Sequence, residues 1–378
     1  MTLHQLFGKQ RFFVKKAAPA NTSSLDHLAW QRFKHNKLSI ASLVIIGLFV
    51  IMALLGYLIT PDHTPHCNQQ YLELATLKPM SKITFVNIDE GQNVERQSWL
   101  KTMLEGKPLP YSSIPAYRAT WIGDSLEVEG YTGAEPNDGE IRRYSRTSVK
   151  GIEERTFVLG TDGYGRDLLS LIMIGSRVSL SVGFIAIVIA LVIGITLGAI
   201  AAYHGGWVDD LIMWFINVVW SIPTVLLVIA ITFALGKGFW QVFVAVGLTM
   251  WVDIARVVRG QVLSVKEKEY VEAGRALGFS TTRIILRHIL PNITGAIIVV
   301  AASNFASAIL LEAGLSFLGI GVQPPMVSWG SLVKENYGYI LLDNAQLAFL
   351  PGIAIMLIVL AFMLLASGIR DALDIKQK

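Results

Sequence analysis

The sequence is poor in cysteine and in charged residues. Among 378 residues there is one cysteine, Cys67, which excludes a disulfide within the chain and a metal cluster built on cysteines. Charged residues make up only 16%, whereas 53% are hydrophobic and the mean hydropathy is +0.51. An ordinary soluble globular protein does not have this composition, so the sequence predicts an integral membrane protein.

The sequence also lacks GxxxxGK[ST], the phosphate-binding loop of ATPases. We therefore expect no ATP-binding site of this type on the chain. The glycine-rich stretch LGTDGYGRD, from Leu159 to Asp167, has neither the lysine nor the spacing of that loop. We expect a turn there, stabilised by Asp162 and Asp167. No cofactor is therefore expected on this chain.

A histidine is missing from the apolar parts of the chain. Ser316, in the sequence GLSF, would be the nucleophile of an intramembrane serine protease, but such an enzyme needs a histidine facing it within a membrane helix. All seven histidines lie outside the six apolar spans described next: His4, His27, His35, His63, His66, His204 and His288. The sequence thus predicts no catalytic residue, no metal site and no enzymatic activity.

Six long segments with few or no charges are each long enough to cross the hydrocarbon core of a bilayer. They are residues 38–61, 178–202, 211–235, 239–258, 293–320 and 347–369. The net charge of +4 comes from basic residues in short segments beside these spans, a pattern typical of cytoplasmic loops and not of nucleic-acid binding. Both termini and a loop at about 262–291 are therefore expected in the cytoplasm.

Two segments outside the spans differ in kind. Residues 1–37 are basic, and Leu28, Trp30 and Phe33 alternate with basic residues, which predicts a short helix at the bilayer surface. Residues 62–156 are polar and predict a small extracytoplasmic domain, with strand-like composition at 82–89 and 126–131. The remaining part, 157–378, holds five spans. The predicted fold is an all-α polytopic membrane protein with an inserted α+β domain between helices 1 and 2.

Polar side chains inside the spans are candidates to line a solute pathway. The third span contributes Asn217, Ser221 and Pro223, and we expect the proline to kink the helix. The fifth span contributes Asn304, Ser307 and the carboxylate Glu312. Packing within the bundle explains the third-span residues equally well, and a structural role is favoured for Glu312. Asp253 and Arg256 in the fourth span are predicted to pair with each other.

Small residues recur every fourth position along the second span. Ala190, Gly194, Gly198 and Ala202 give that helix one face of small side chains. Such a face allows the backbone of another helix to approach closely, so we expect tight helix packing there.

The stretch from Glu269 to Pro291 is polar and basic and lies between two apolar spans. We expect two short helices, the first ended by Gly278 and the second capped by Ser280 or Thr281, before Pro291 opens the next membrane helix. The first helix carries small residues on which another backbone could press, at Ala273, Gly274, Ala276 and Gly278. This pattern favours a docking surface.

Glu272-Ala273-Gly274, followed by Gly278 and Leu290-Pro291, resembles the EAA loop of ATP-binding cassette (ABC) importer permeases. Gly274 stands where a second alanine is usual, and His288 where an isoleucine is usual. The motifs YHGGWVDD (203–210), SFLGIGVQPP (316–325) and IRDALD (369–374), together with LGTDGYGRD, resemble the dipeptide, oligopeptide and nickel branch of that family. The resemblance covers the first span and everything from about Phe157 onward.

The resemblance implies a permease that forms half of a translocation pathway in the bacterial inner membrane. Its partners would be a second, homologous permease, two ATPase subunits that carry ATP and Mg²⁺, and an extracytoplasmic solute-binding protein. ATPase coupling would fall to Glu272, Ala273, Gly274, Ala276, Leu277, Gly278 and Phe279. Peptide is the expected cargo, with nickel or another small solute as the alternative; a scaffold without a pathway is the alternative from another class.

Overall fold

The computed structural model describes residues 25–91, 97–133, 136–236 and 238–373. The expected basic tail before residue 25 and the last five residues lie outside the described residues. The helices, in chain order, are α1 (Leu25–His35), α2 (Lys37–Ile59), α3 (Trp99–Glu105), α4 (Leu168–His204), α5 (Gly206–Trp220), α6 (Thr224–Leu235), α7 (Phe239–Val265), α8 (Glu269–Ala276), α9 (Thr281–Ile284), α10 (Leu290–Phe317), α11 (Trp329–Asn336) and α12 (Gln346–Leu373).

Five of these helices, α2, α4, α7, α12 and the continuous run from α9 through α10, are long and apolar enough to cross a membrane. The pair α5 and α6 makes a sixth, broken span that bends by 91°. The predicted third span is therefore not one kinked helix. Pro223 has no N–H to continue the helical ladder and disfavours helical geometry at Ile222, so α5 ends and α6 starts in a new direction.

Helix α4 begins ten residues before the predicted second span. Asp167 caps it by accepting a hydrogen bond from the Ser170 backbone N–H at 2.8 Å, and the helix continues through Arg177. The sequence prediction stopped at that arginine because a charge interrupts the apolar run. In the structure the Arg177 guanidinium donates to the carbonyl oxygens of Met103 and Leu104 in α3, at 3.2 and 3.1 Å.

The close helix contact predicted from the small residues of the second span is formed between α4 and α7. Ala190, Gly194, Gly198 and Ala202 are all buried. A Cβ atom at Gly194 would lie 2.7 Å from Cβ of Ile254. One at Gly198 would lie 2.5 Å from the Ala255 carbonyl oxygen, so neither position has room for a larger residue. In the most apolar 18-residue stretch of each helix, 67% is buried in α7 but only 11% in α2. Helix α7 therefore lies at the centre of the bundle and α2 at its edge.

The inserted domain is a five-stranded antiparallel sheet in the order β4-β3-β2-β1-β5. Its strands are β1 (Ser81–Ile88), β2 (Ser112–Ile122), β3 (Ser125–Gly130), β4 (Ile141–Ser145) and β5 (Val149–Phe157). The first and third were predicted from composition, and this sheet with α3 confirms the α+β domain. We call the end of the bundle that carries it the sheet end, and the opposite end, with α8 and α9, the loop end.

Helix α11 returns the chain to the bundle at the sheet end. Trp329, at its first position, is fully buried, and its indole N–H donates to the Ile172 carbonyl of α4 at 2.9 Å. Its ring lies edge-on to Phe49 of α2, with 5.3 Å between the centroids. A Cβ at Gly175 would lie 3.2 Å from the Trp329 ring, so a glycine in α4 makes room for this side chain. The segment between the predicted fifth and sixth spans is thus anchored among the membrane helices.

Candidate functional site

The segment from α8 to α9 forms the two-helix loop expected from the sequence. Helix α8 ends where Gly278 takes the left-handed conformation with φ of +74°, and the Phe279 N–H turns back to bond the Gly274 carbonyl at 3.1 Å. Ser280 then caps α9 by accepting from the Arg283 backbone N–H at 3.4 Å. A π-helical turn, Ile285–Ile289, joins α9 to α10.

The residues predicted to couple to an ATPase divide into two groups. Five form an exposed surface on and after α8: Glu272, Ala273, Ala276, Leu277 and Gly278. Leu277 is a large apolar side chain with 72% of its surface exposed, so most of it is available for contact with another protein. Gly274 is buried and Phe279 is half-buried, so these two shape the loop from inside.

Phe279 explains one departure from the EAA pattern. Its ring stacks on the imidazole of His288, with 5.7 Å between centroids and 17° between planes, and the Arg283 guanidinium carbon lies 3.9 Å from its centroid. An isoleucine at 288 could not stack in this way. At Gly274 a Cβ would make an ordinary van der Waals contact with the Phe279 ring at 3.4 Å, so packing does not explain the glycine there.

The loop is fixed to the helices at the loop end of the bundle. Val271 of α8 is fully buried in the main apolar core, and the Arg275 guanidinium lies over the Tyr203 ring at 5.2 Å. Just before α8, the Lys266 ammonium donates to the Ala202 carbonyl of α4 at 2.8 Å. A displacement of α8 would therefore reach α4 directly.

A second link lies beside the first, within the YHGGWVDD motif. Both carboxylate oxygens of Asp209 on α5 accept from the Arg259 guanidinium on α7, each at 2.6 Å. The two parallel hydrogen bonds of such a bidentate pair fix its geometry and make it stronger than a single hydrogen bond between the same groups. The pair holds the first half of the broken span against α7.

A cavity of about 380 Å³ opens in the membrane region where α5 and α6 diverge, between them and α7 and α10. Of the predicted pathway residues, the structure brings Asn304 and Ser307 to its wall. Asn217, Ser221 and Pro223 are exposed on the broken span nearby but do not line it, although Trp220, Ile222 and Thr224 do. The pathway role of the three stays a prediction.

The predicted pair between Asp253 and Arg256 is wrong. No ion pair joins them within 4 Å. Arg256 donates to Asn217 Oδ1 at 2.7 Å, and its guanidinium carbon lies 4.0 Å from the Trp220 ring centroid. Asp253 lines the cavity instead. Spacing on α7 suggested the pair, but the break in the third span brings a better partner for the guanidinium, which sequence spacing does not reveal.

Glu312 is not brought to the cavity either. Its carboxylate is fully buried and accepts from the hydroxyl groups of Ser316 at 2.6 Å and Ser179 at 3.3 Å. Ser316 in turn bonds Ser328, and Ser179 accepts from the Trp329 backbone N–H at 3.2 Å. The network joins α4, α10 and α11, which agrees with the structural role favoured from the sequence.

At the sheet end, the LGTDGYGRD motif forms a buried cluster of charges. Asp162 accepts from the backbone N–H groups of Tyr164 and Arg166, each at 2.9 Å, which makes the expected turn. The Arg166 guanidinium lies 2.6 Å from both Asp162 and Glu335, the latter on α11. Burial lowers the pKa of Arg166, but the two carboxylates outweigh it and raise the pKa overall.

Asp167, the cap of α4, follows directly in the chain. Burial raises the pKa of its carboxyl group, while the hydrogen bonds from Ser170 act in the opposite direction. Within the described ranges no three histidine, cysteine or acidic side chains come together as metal ligands.

Comparison with known proteins identifies a family and several relatives that match this chain. Residues 194–378 match the family described as binding-protein-dependent transport system inner membrane component, and residues 24–79 match the N-terminal TM domain of oligopeptide transport permease C. The chain is 32% identical over 361 residues to a dipeptide transport system permease protein of Lactococcus lactis subsp. cremoris, covering 95% of this chain and 92% of that protein.

Two further likenesses cover less of the chain. A dipeptide transport system permease protein of Alkalihalophilus pseudofirmus is 42% identical over 219 residues, which are 58% of this chain and 72% of that protein. A solved structure of the MetNI methionine ABC transporter in an inward-facing conformation aligns with a TM-score of 0.45 at 21% identity, covering 54% of this chain and 96% of that chain.

The membrane helices and the anchored loop with its exposed surface are features of a membrane transport subunit. The chain belongs to the family of binding-protein-dependent inner-membrane transport components, which confirms the resemblance of its motifs. It is a permease subunit of an ATP-driven ABC importer, integral to the inner membrane, and permeases of this family work with an ATPase and a binding protein.

Replacement of Arg166 by methionine should destabilise the permease strongly. The substitution leaves Asp162 and Glu335 facing each other without the cation between them, and loss of one partner from a buried charge cluster costs about 3–5 kcal/mol. The measurement is the thermal unfolding midpoint of the purified permease. Arg142→Met, which removes the exposed pair with Glu140 on β4, is the control and should leave the midpoint unchanged. Equal midpoints for both variants would contradict a stabilising role of the cluster.

Proposed function

We propose that the chain forms one half of a peptide translocation pathway and passes the motion of the ATPase to it through α8 and α9. The observation that carries this proposal is the position of the loop. It exposes an apolar docking surface and is tied by Lys266 and Arg275 to the end of α4. A scaffold without a pathway would have no need of the cavity between the broken span and α7.

The proposed assembly contains a second, homologous permease, two ATPase subunits that bind ATP and Mg²⁺, and an extracytoplasmic solute-binding protein. The cavity supports the second permease. Helices α5 and α6, which line it, also expose several large apolar residues, a surface that a second permease would cover: Trp207, Leu211, Trp214, Phe215, Trp220, Val225 and Leu226.

The coupling surface fits a groove in the ATPase. Leu277 supplies an exposed apolar anchor, and the small residues Ala273, Ala276 and Gly278 let another backbone approach. Glu272 lies in the first turn of α8, where a carboxylate interacts favourably with the helix dipole and can meet a basic group of the ATPase.

The chain is proposed to have both termini and the loop end in the cytoplasm, with the sheet domain outside the membrane. Basic residues support this orientation. They gather beside and within the loop, at Arg259, Lys266, Lys268, Arg275, Arg283 and Arg287, as expected for cytoplasmic loops.

Peptide is proposed as the cargo because two relatives of the chain, one of them matching over 95% of its length, are named dipeptide transport system permease proteins. Nickel is the second candidate. No cluster of metal-ligating side chains occurs in the part of the chain that the structure describes, which gives a bare metal ion no evident coordination on this subunit.

The coupling proposal predicts that Gly278→Arg releases the ATPase from an otherwise intact permease. The arginine would project from the docking surface, and a clash of about 3 kcal/mol weakens association roughly a hundredfold. The measurement is the amount of ATPase retained when the permease is isolated from membranes, together with transport. Glu272→Ala is expected to keep the ATPase bound and to lower transport.

Gly123→Arg is the matched control. Gly123, in the turn between β2 and β3, has the same left-handed backbone, with φ of +61°, and the same free space around it. Both variants therefore suffer similar backbone strain, but only Gly278 lies on the docking surface. Gly194→Arg, by contrast, should reduce the amount of permease itself, because α4 and α7 have no room for a side chain there. Full ATPase retention with normal transport in Gly278→Arg would refute the coupling surface.

The orientation predicts the labelling of introduced cysteines by a membrane-impermeant thiol reagent in whole cells. With Cys67, which is buried, replaced by alanine, Asp124→Cys in the sheet domain should be labelled. Lys268→Cys at the loop end should be labelled only after the membrane is broken. Both positions are exposed in the structure, so access to the reagent depends on the side of the membrane. The reverse pattern would invert the topology.

The cargo proposal predicts that the purified importer, assembled with its binding protein in proteoliposomes, accumulates radiolabelled dipeptides or oligopeptides when ATP is present. The native ligand of the binding protein, identified by mass spectrometry, should be a peptide. A nickel complex in its place, with no accumulation of peptides, would show that the second candidate is the cargo.

A further inference from the structure

We propose that Asp253 is a cargo-recognising residue of the translocation pathway and binds the ammonium group of the peptide's amino terminus. The inference rests on the proposed function as a peptide importer and adds to it the chemical group that the membrane cavity recognises.

Asp253 lies on α7 and lines the cavity at the break between α5 and α6. It is the single charged side chain among the described residues of the cavity wall, which is otherwise apolar except for Thr224, Thr249, Asn304 and Ser307. A carboxylate at membrane depth is costly unless something satisfies it, which makes such a residue a functional candidate.

The chain itself does not neutralise this carboxylate. Arg256, one turn further along α7, is the basic residue that acts electrostatically on Asp253. Its guanidinium is instead engaged by Asn217 at 2.7 Å and lies 4.0 Å from the Trp220 ring centroid. Across the described part of the chain, no hydrogen bond or ion pair reaches the Asp253 carboxylate. Its lone pairs are therefore available to cargo.

The other polar groups of the cavity wall favour a donor of hydrogen bonds. Thr249 and Ser307 donate their hydroxyl hydrogens to backbone carbonyls of their own helices, at 2.8 and 3.3 Å. The Asn304 amide nitrogen donates to the Met250 carbonyl at 3.4 Å. The two hydroxyl groups therefore still offer oxygen lone pairs, and Asn304 offers its amide oxygen besides one remaining N–H.

A primary ammonium carries one positive charge and three N–H donors, and so it complements one carboxylate surrounded by acceptors. An anionic group would meet repulsion from Asp253, the one charged side chain on the described cavity wall. The apolar wall, including Met250, Leu310 and Leu311, can contact the rest of a small peptide. The cavity thus takes cargo by its amino end.

The test uses a cysteine probe in the cavity, so that binding is measured without relying on the binding protein. Ser307→Cys, in the Cys67→Ala background, places one thiol on the cavity wall of the full permease and ATPase complex. Its rate of modification by N-ethylmaleimide is measured with and without millimolar tri-alanine, either with a free amino terminus or Nα-acetylated.

We expect the free peptide to slow modification at least about fivefold and the acetylated peptide to have little effect. The protection should be lost when Asp253→Asn is added and kept with Asp253→Glu, because only the latter retains the charge. Asp210→Asn, an exposed acidic residue at the loop end, is the matched control and should keep the protection. Transport of the free peptide should fall roughly tenfold or more in Asp253→Asn.

Four results would overturn the inference: equal protection by both peptides, protection that survives Asp253→Asn, a probe thiol that no reagent reaches, or loss of the second permease from the Asp253→Asn complex. The last would show that the carboxylate pairs with the neighbouring subunit. Absence of peptide transport by the unmodified complex is a different outcome, because it would refute the proposed cargo rather than the recognition of its ammonium group.

Discussion

The close contact between α4 and α7 is the constraint on which the rest of the structure depends. Gly194 and Gly198 bring the two backbones together at a distance that no side chain would allow. Within a bilayer the apolar effect does not drive helices together, so close van der Waals contact of this kind has to hold the bundle. With α4 and α7 fixed to each other, the sheet end and the loop end become two ends of one rigid pair.

Each end of this pair carries a polar anchor. At the sheet end, Arg166 joins the start of α4 to Glu335 on α11, and thereby to the loop that seats Trp329 in the bundle. At the loop end, Lys266 and the Asp209–Arg259 pair tie α7 to α4 and α5. These contacts connect the loop with the broken span and its cavity, and α4 continues from there to the sheet end.

Two carboxylates at membrane depth illustrate how the fold assigns different roles to one chemical group. Glu312 is enclosed by serine hydroxyls that donate to it, and it joins three helices. Asp253 faces an open cavity whose side chains supply acceptors, and the arginine beside it is bonded elsewhere. The first is satisfied by the protein, whereas the second needs a partner from outside the chain.

The membrane class, the approximate positions of most spans, the sheet insertion and the two-helix loop could be predicted from the sequence, because apolar length, turn residues and helix caps act locally. The family also followed, since its motifs are contiguous. The 91° bend at Pro223, the hydrogen bond of Arg256 to Asn217 and the stacking of His288 on Phe279 became evident in the three-dimensional structure. Arg256 and Asn217 lie on different helices, and such partners are set by proximity in space, which spacing along one helix does not encode.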